Sequence, residues 1–209
     1  MNYIVSTAQL AALYILVRNG LLLRFPFFAA FLLIGSIATA IFPPLDPAWL
    51  ENWWAVGAAA LLFRAAATAE AVLILCSRSR GSVGFIAGAW VAFAAAGVYC
   101  GSILWDGNAA VNYFHIRDAV QIGLAVAMLA PLCIAYLLPD AFPCRQIERR
   151  HAACMLVILT AYAWWSLVRT AGYLHVSELG VWDAIVSAGV SIAFILWATV
   201  IGRTPALTA

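Results

Sequence analysis

Seven continuous apolar runs occupy most of the chain, and each is about as long as a membrane-spanning helix. They cover residues 3–17, 23–42, 54–76, 83–105, 117–138, 152–174 and 181–201. A helix needs about 20 apolar residues to cross the hydrocarbon core of a bilayer, whereas a membrane barrel shows alternating segments of about ten. We therefore predict an all-α fold: a polytopic transmembrane helix bundle of about seven spans, forming a single domain over residues 1–209.

The overall composition agrees with a protein of the membrane rather than of water. Hydrophobic residues make up 66% of the chain and charged residues only 10%, against roughly 25% in an average soluble domain. Turn-forming residues separate the runs: Arg18-Asn19-Gly20 ends the first, and Pro43 begins the break after the second. The segments between the runs are too short to hold a soluble domain.

The positions of the arginines predict the orientation of the bundle. In a seven-span arrangement one side carries Arg18, Arg24, Arg78, Arg80, Arg145, Arg149, Arg150 and Arg203. The other side carries acidic residues, namely Asp46, Glu51, Asp106 and Glu178. Because basic loops stay in the cytoplasm, we expect the N-terminus outside and the C-terminus in the cytoplasm. The short loops and the lack of a signal-peptide pattern favour a multi-pass protein of the bacterial inner membrane.

Three further arginines lie within or at the start of predicted spans. They are Arg64 near the middle of the third, Arg117 at the start of the fifth and Arg169 in the outer third of the sixth. A charge at such depth costs at least about 2.5–3.5 kcal/mol, so these side chains are expected to face the bundle and pair. The available acidic partners are Asp118, Asp183 and, about a turn and a half beyond Arg64, Glu70.

Two interpretations of these charges remain open. Either they form internal salt bridges that fix helix register, or they line an outward-facing pocket for an anionic or zwitterionic ligand. Polar residues recur at helical spacing on several spans, which favours the pocket, although serines in membrane helices also bond to the helix backbone. The predicted ligand-binding residues are Arg64, Arg117, Asp118, Gln121, Tyr162, Trp165, Arg169, Asp183 and Ser187.

Several kinds of chemistry lack the residues that they require. The chain contains no lysine, so it cannot hold retinal as a Schiff base. His115 and His175 lie at span ends and His151 on the cytoplasmic side, which does not suit two axial haem ligands on facing helices. No catalytic or metal-ligand motif is present. We therefore expect no enzymatic activity, no cofactor and no metal site.

The sequence leaves two functional hypotheses. The first is a sensor or transporter of a small ligand bound in the polar pocket. The alternative is a non-catalytic accessory or scaffold subunit of a larger membrane complex. Expected partners are membrane lipids, a small-molecule ligand and a partner membrane protein, and not nucleic acid, because the basic residues are scattered through short loops.

Overall fold

The computed structural model describes residues 2–41, 47–76, 109–137, 145–170 and 176–202. This part of the chain contains six helices and no strand, which confirms the all-α prediction there. The helices are α1 Asn2–Arg18, α2 Pro26–Ile41, α3 Pro47–Cys76, α4 Ala109–Leu137, α5 Gln146–Thr170 and α6 Val176–Gly202. The predicted fourth span, residues 83–105, lies outside the described residues.

Three helices are long and apolar enough to cross a membrane, judged by length and composition. The stretches concerned are Val56–Cys76 in α3, Ile116–Leu137 in α4 and Ala184–Gly202 in α6. Helices α1 and α2 contain shorter apolar stretches, Tyr3–Arg18 and Pro26–Ala38. Large apolar side chains also cover the outside of the described helices, a property that marks surfaces contacting lipid or other proteins.

The described helices pack in a closed ring. Each helix contacts the next one along the chain, α6 returns to contact α1, and α3 also contacts α5 across the ring. The side chains that fill the interior are mainly apolar and fully buried, with Leu16, Phe28, Leu124 and Trp197 among the largest. The contact between α3 and α5 matters for function because it brings together polar residues that are far apart in the sequence.

Helix α1 ends at Arg18, where the turn residues Arg18-Asn19-Gly20 predicted an end, and it closes in a Schellman motif. Gly20 adopts a φ of 66°, a left-handed conformation that glycine adopts without steric cost. Its N–H donates to the carbonyl of Val17 at 3.1 Å, and the N–H of Leu21 donates to the carbonyl of Leu16 at 2.9 Å. These are the two bonds that define the motif, and they satisfy carbonyls left open at the helix end.

The start of α2 is capped by a side chain from another helix. Pro26 occupies the first helical position, where its fixed φ is favourable. The two carboxylate oxygens of Glu70 on α3 accept bonds from the N–H groups of Phe27 at 3.2 Å and Phe28 at 3.0 Å. Glu70 therefore satisfies two open donors of α2, and this places a negative charge at the positive end of the helix dipole.

The start of α5 is also capped by a glutamate, and it lies at the same end of the bundle as the start of α2. The Glu148 carboxylate accepts from the N–H of Arg145 at 2.6 Å, the back-bond of a capping box. Its other oxygen forms a part-buried ion pair with Arg24, which precedes α2. This ion pair brings the connection between α1 and α2 against the start of α5.

Candidate functional site

The site is built around Arg64 on α3. Its side chain is only 8% exposed, although it carries a permanent positive charge. Arg64 lies twelve residues before Cys76, the end of α3, which corresponds to about 18 Å along a helix. Arg64 thus lies far from both ends of α3, the longest of the described helices.

Aromatic rings from two other helices cover this guanidinium. The Arg64 Cζ atom lies 3.6 Å from the ring centroid of Tyr162 on α5 and 5.4 Å from that of Phe31 on α2. Both distances are within the range of cation–π attraction, which contributes about 2 kcal/mol or more when the pair is desolvated. The rings therefore offset part of the cost of burying the charge.

A chain of hydrogen bonds leads from Arg64 across to α4. The Ser166 hydroxyl on α5 donates its single proton to Asp118 Oδ1 at 3.0 Å. It must then accept from the Gln121 amide nitrogen at 2.6 Å, and this nitrogen also donates to the Tyr162 carbonyl at 3.2 Å. In this orientation the Gln121 oxygen accepts from Arg64 Nη1 at 2.8 Å. In each of these bonds an N–H or O–H group donates, and the oxygen that receives the bond can accept it.

Arg117 and Asp118 form an ion pair at the end of this hydrogen-bond network that lies farthest from Arg64. Arg117 Nε and Nη2 each lie 3.2 Å from Asp118 Oδ1, and the Asp118 side chain is buried. The negative charge of Asp118 is thereby engaged by Arg117 and by Ser166. We call the connected set the Arg64 cluster. It comprises Arg64, Arg117, Asp118, Gln121, Tyr162 and Ser166.

Arg64 has no carboxylate partner among the residues that the structure describes. Its Nε is buried there without any hydrogen-bond partner. Glu70, which sequence spacing offered as a partner, instead uses both carboxylate oxygens to cap α2. An uncompensated buried charge costs about 3–5 kcal/mol, and the contacts with the Tyr162 and Phe31 rings offset part of this cost. The cluster therefore holds a buried cation that has no carboxylate partner among the described residues.

The predicted binding residues are only partly brought together. Five of them, Arg64, Arg117, Asp118, Gln121 and Tyr162, belong to the Arg64 cluster. Trp165 is half-buried on α5, next to Ser166 in sequence. The Ser187 carbonyl accepts a bond from Ser191 within α6, the backbone role that serines often take in membrane helices. The side chains of Arg169 and Asp183 lie outside the described residues.

Sequence reasoning missed two contributors to the site. Ser166 follows Tyr162 by four residues, so it lies on the same face of α5, and that spacing was the available signal. Phe31 is one apolar residue among many on α2, and no local pattern distinguishes it. Its place beside Arg64 depends on how α2 packs against α3.

A second buried polar group lies nearer the end that holds Arg24 and Glu148. His151, which the sequence places toward the cytoplasmic side, has a side chain that is fully buried within the described bundle. Its ring stacks on Phe25 at 4.1 Å and meets Phe28 edge-on at 4.9 Å. His151 Nδ1 accepts from the Trp197 indole at 2.9 Å, which fixes a neutral tautomer with the proton on Nε2.

Comparison with protein-family models, curated proteins and solved structures found no match for this chain. The geometry of the described residues therefore supplies the functional argument.

Proposed function

We propose that this chain is a seven-span membrane protein that binds a small anionic or zwitterionic ligand in an outward-facing polar pocket. The pocket is built around the Arg64 cluster, and binding serves a sensor or a transporter. In the proposed topology the N-terminus is outside and the C-terminus is in the cytoplasm.

The observation that carries this proposal is the state of Arg64. A guanidinium buried in a helix bundle normally pairs with a carboxylate, since desolvation otherwise dominates its energy. Here the described surroundings supply one amide oxygen and two ring faces, and the Nε–H remains unpartnered. A ligand anion beside Arg64 would provide the missing charge and the missing acceptor.

The position of the cluster supports an outward-facing site. The Arg24–Glu148 pair brings two arginine-containing connections to one end of the bundle, and the positive-inside rule assigns that end to the cytoplasm. Asp118 lies nineteen residues before Leu137, the end of α4 nearest in sequence to Arg145. This separation corresponds to about 28 Å along the helix, so Asp118 belongs to the opposite half, while Arg64, about 18 Å from the end of α3, lies nearer the middle of the bundle.

Binding is tested on the purified protein in mild detergent. Native mass spectrometry of the wild type is expected to show a small molecule retained at one per chain, and Arg64→Gln is expected to lose it. Arg18→Gln, at the exposed end of α1, is the matched control and should retain it. Retention of the same molecule by Arg64→Gln would contradict the proposal.

The same sample tests the accessory-subunit alternative. Stoichiometric membrane proteins that co-purify with the chain, without any retained small molecule, would favour that alternative. If a ligand is found, uptake into proteoliposomes separates a transporter, which accumulates the ligand inside, from a sensor, which does not.

A further inference from the structure

The contacts of Arg64 leave only one edge of its guanidinium available for a ligand. Gln121 Oε1 takes Nη1, and the Tyr162 ring covers one face at 3.6 Å. On the remaining edge, Nε has no partner in the described part of the chain. No described hydrogen bond engages Nη2 either. These two N–H groups point in parallel directions in the guanidinium plane, an arrangement that matches the two oxygens of a carboxylate.

We propose that the ligand of Arg64 is a monocarboxylate anion, bound side-on through both oxygens to Nε and Nη2. This inference rests on the proposed function and narrows its ligand class from anions and zwitterions in general. Because Nε is buried in the free protein, the side chains packed against this edge of the proposed pocket must move when the ligand binds.

The charge balance of the cluster favours a single negative charge. Arg117 pairs with Asp118, whereas Arg64 has no carboxylate partner among the described residues, so the charge of Arg64 is the one that a ligand can neutralise. A monoanion cancels that charge. A dianion such as hydrogen phosphate would leave an excess negative charge in a buried site, and a zwitterion would add no net charge at all.

The position of Asp118 also disfavours an amino acid. A zwitterion would need an acceptor for its ammonium group, and Asp118 is the only acid in the described cluster. Its Oδ1 already accepts from Arg117 and Ser166. An ammonium placed there would lie close to the Arg117 guanidinium and would be repelled by it.

The first experiment compares benzoate with benzamide, a neutral molecule of nearly the same shape. Thermal unfolding in detergent, followed by tryptophan fluorescence, gives the apparent affinity of each from the shift in Tm. Loss of two charge-assisted hydrogen bonds predicts at least about 100-fold weaker binding of benzamide. Equal shifts for benzoate and benzamide would overturn the inference.

Two substitutions examine the geometry of the bound edge. Arg64→Lys keeps the charge but loses the paired N–H groups, so benzoate binding should weaken by about tenfold or more. Gln121→Glu supplies a carboxylate from the chain itself, at the position that now bonds Nη1. This variant also loses the amide N–H bonds to Ser166 and Tyr162, so the readout is the ligand response and not the Tm of the free protein. It should no longer be stabilised by benzoate, whereas the control Arg18→Gln should behave as the wild type.

The remaining outcomes separate this inference from the function on which it rests. Arg64-dependent binding of glycine betaine or inorganic phosphate in preference to benzoate would overturn the monocarboxylate inference and leave the binding function standing. No stabilisation of the wild type by any of these probes, together with no small molecule retained in native mass spectrometry, would overturn both. The Gln121→Glu variant also gives a result if Arg64→Lys does not fold.

Discussion

At the scale of single residues, Ser166 is the junction of the Arg64 cluster. One hydroxyl joins the acid of α4 to the amide that holds Arg64, because it donates to Asp118 and accepts from Gln121. This linking role depends on the packing of α4 against α5 and is not predictable from the serine side chain alone. Its removal leaves two buried polar groups short of a partner, which costs more than the loss of an exposed hydrogen bond.

We therefore expect Ser166→Ala to lower the free energy of unfolding by about 1–3 kcal/mol, measured by denaturation in mixed detergent. The matched control is Thr160→Ala on the same helix, because the exposed Thr160 hydroxyl bonds only to its own helix backbone. That substitution should change the free energy by less than about 0.5 kcal/mol. Equal effects at the two positions would show that the Ser166 hydroxyl is not a structural junction.

The pair of His151 and Trp197 allows a second test at this scale. Trp197→Phe leaves His151 Nδ1 without its donor, and His151→Phe leaves the buried indole N–H without its acceptor. Each single substitution should cost about 1–3 kcal/mol, whereas the double variant should cost less than the sum by about 0.5–3 kcal/mol. Trp164→Phe, at an exposed tryptophan, is the control for loss of an indole. Strict additivity in the double-mutant cycle would argue against the hydrogen bond.

At the scale of the elements, the helices are positioned by their ends as much as by their apolar faces. Glu70 caps α2 from α3, and Glu148 both caps α5 and pairs with Arg24. Each carboxylate accepts from free N–H groups at the start of a helix and so connects two elements. Glu70, whose spacing made it a candidate partner of Arg64, caps α2 instead. This is why Arg64 is left without Glu70.

The end of α1 gives a prediction at the same scale. Gly20→Ala forces an L side chain into a left-handed conformation and should destabilise the protein by about 1 kcal/mol. Gly189→Ala lies inside α6, where an added Cβ meets no atom within 4 Å, and should instead stabilise by about 0.5–1 kcal/mol through helix propensity. The two unfolding curves should thus move in opposite directions. A shared direction would contradict the assignment of the α1 terminus.

At the scale of the whole molecule, the ring of described helices encloses two buried regions that contain polar side chains. The Arg64 cluster occupies the region where α3, α4 and α5 meet, and the His151 aromatic packing occupies the region of α2, α5 and α6. Under the proposed topology the first faces outward and the second closes the cytoplasmic half. A ligand bound at Arg64 would therefore have aromatic packing between it and the cytoplasm.

The proposed seven spans are tested by reporter fusions in a bacterial host. A fluorescent protein fused after Arg80 or after Ala209 should fluoresce, because both positions are predicted to be cytoplasmic. Alkaline phosphatase fused after Gly107 should be active, because that position is predicted to be outside. If residues 83–105 do not cross the membrane, the fusions after Arg80 and Gly107 will report the same side and the count of seven will be wrong.

The sequence alone determined that the described chain is helical and apolar enough to enter a membrane. Long apolar runs and the breakers between them are local properties, so Gly20 marks a helix end that the structure also has. The sequence also singled out Arg64, Arg117 and Asp118, because a charge in an apolar run is rare and costly. These conclusions need no knowledge of which helix contacts which.

Tertiary structure alone decided which groups meet. Helical spacing places a residue on a face but does not say which neighbouring helix covers that face, so the roles of Phe31, Ser166 and Glu70 were not predictable. The burial of His151 is also a tertiary property, because aromatic side chains from α2 and α6 supply its surroundings. The packing of the helices thus brings polar residues from different helices together around a buried cation that has no carboxylate partner among the described residues.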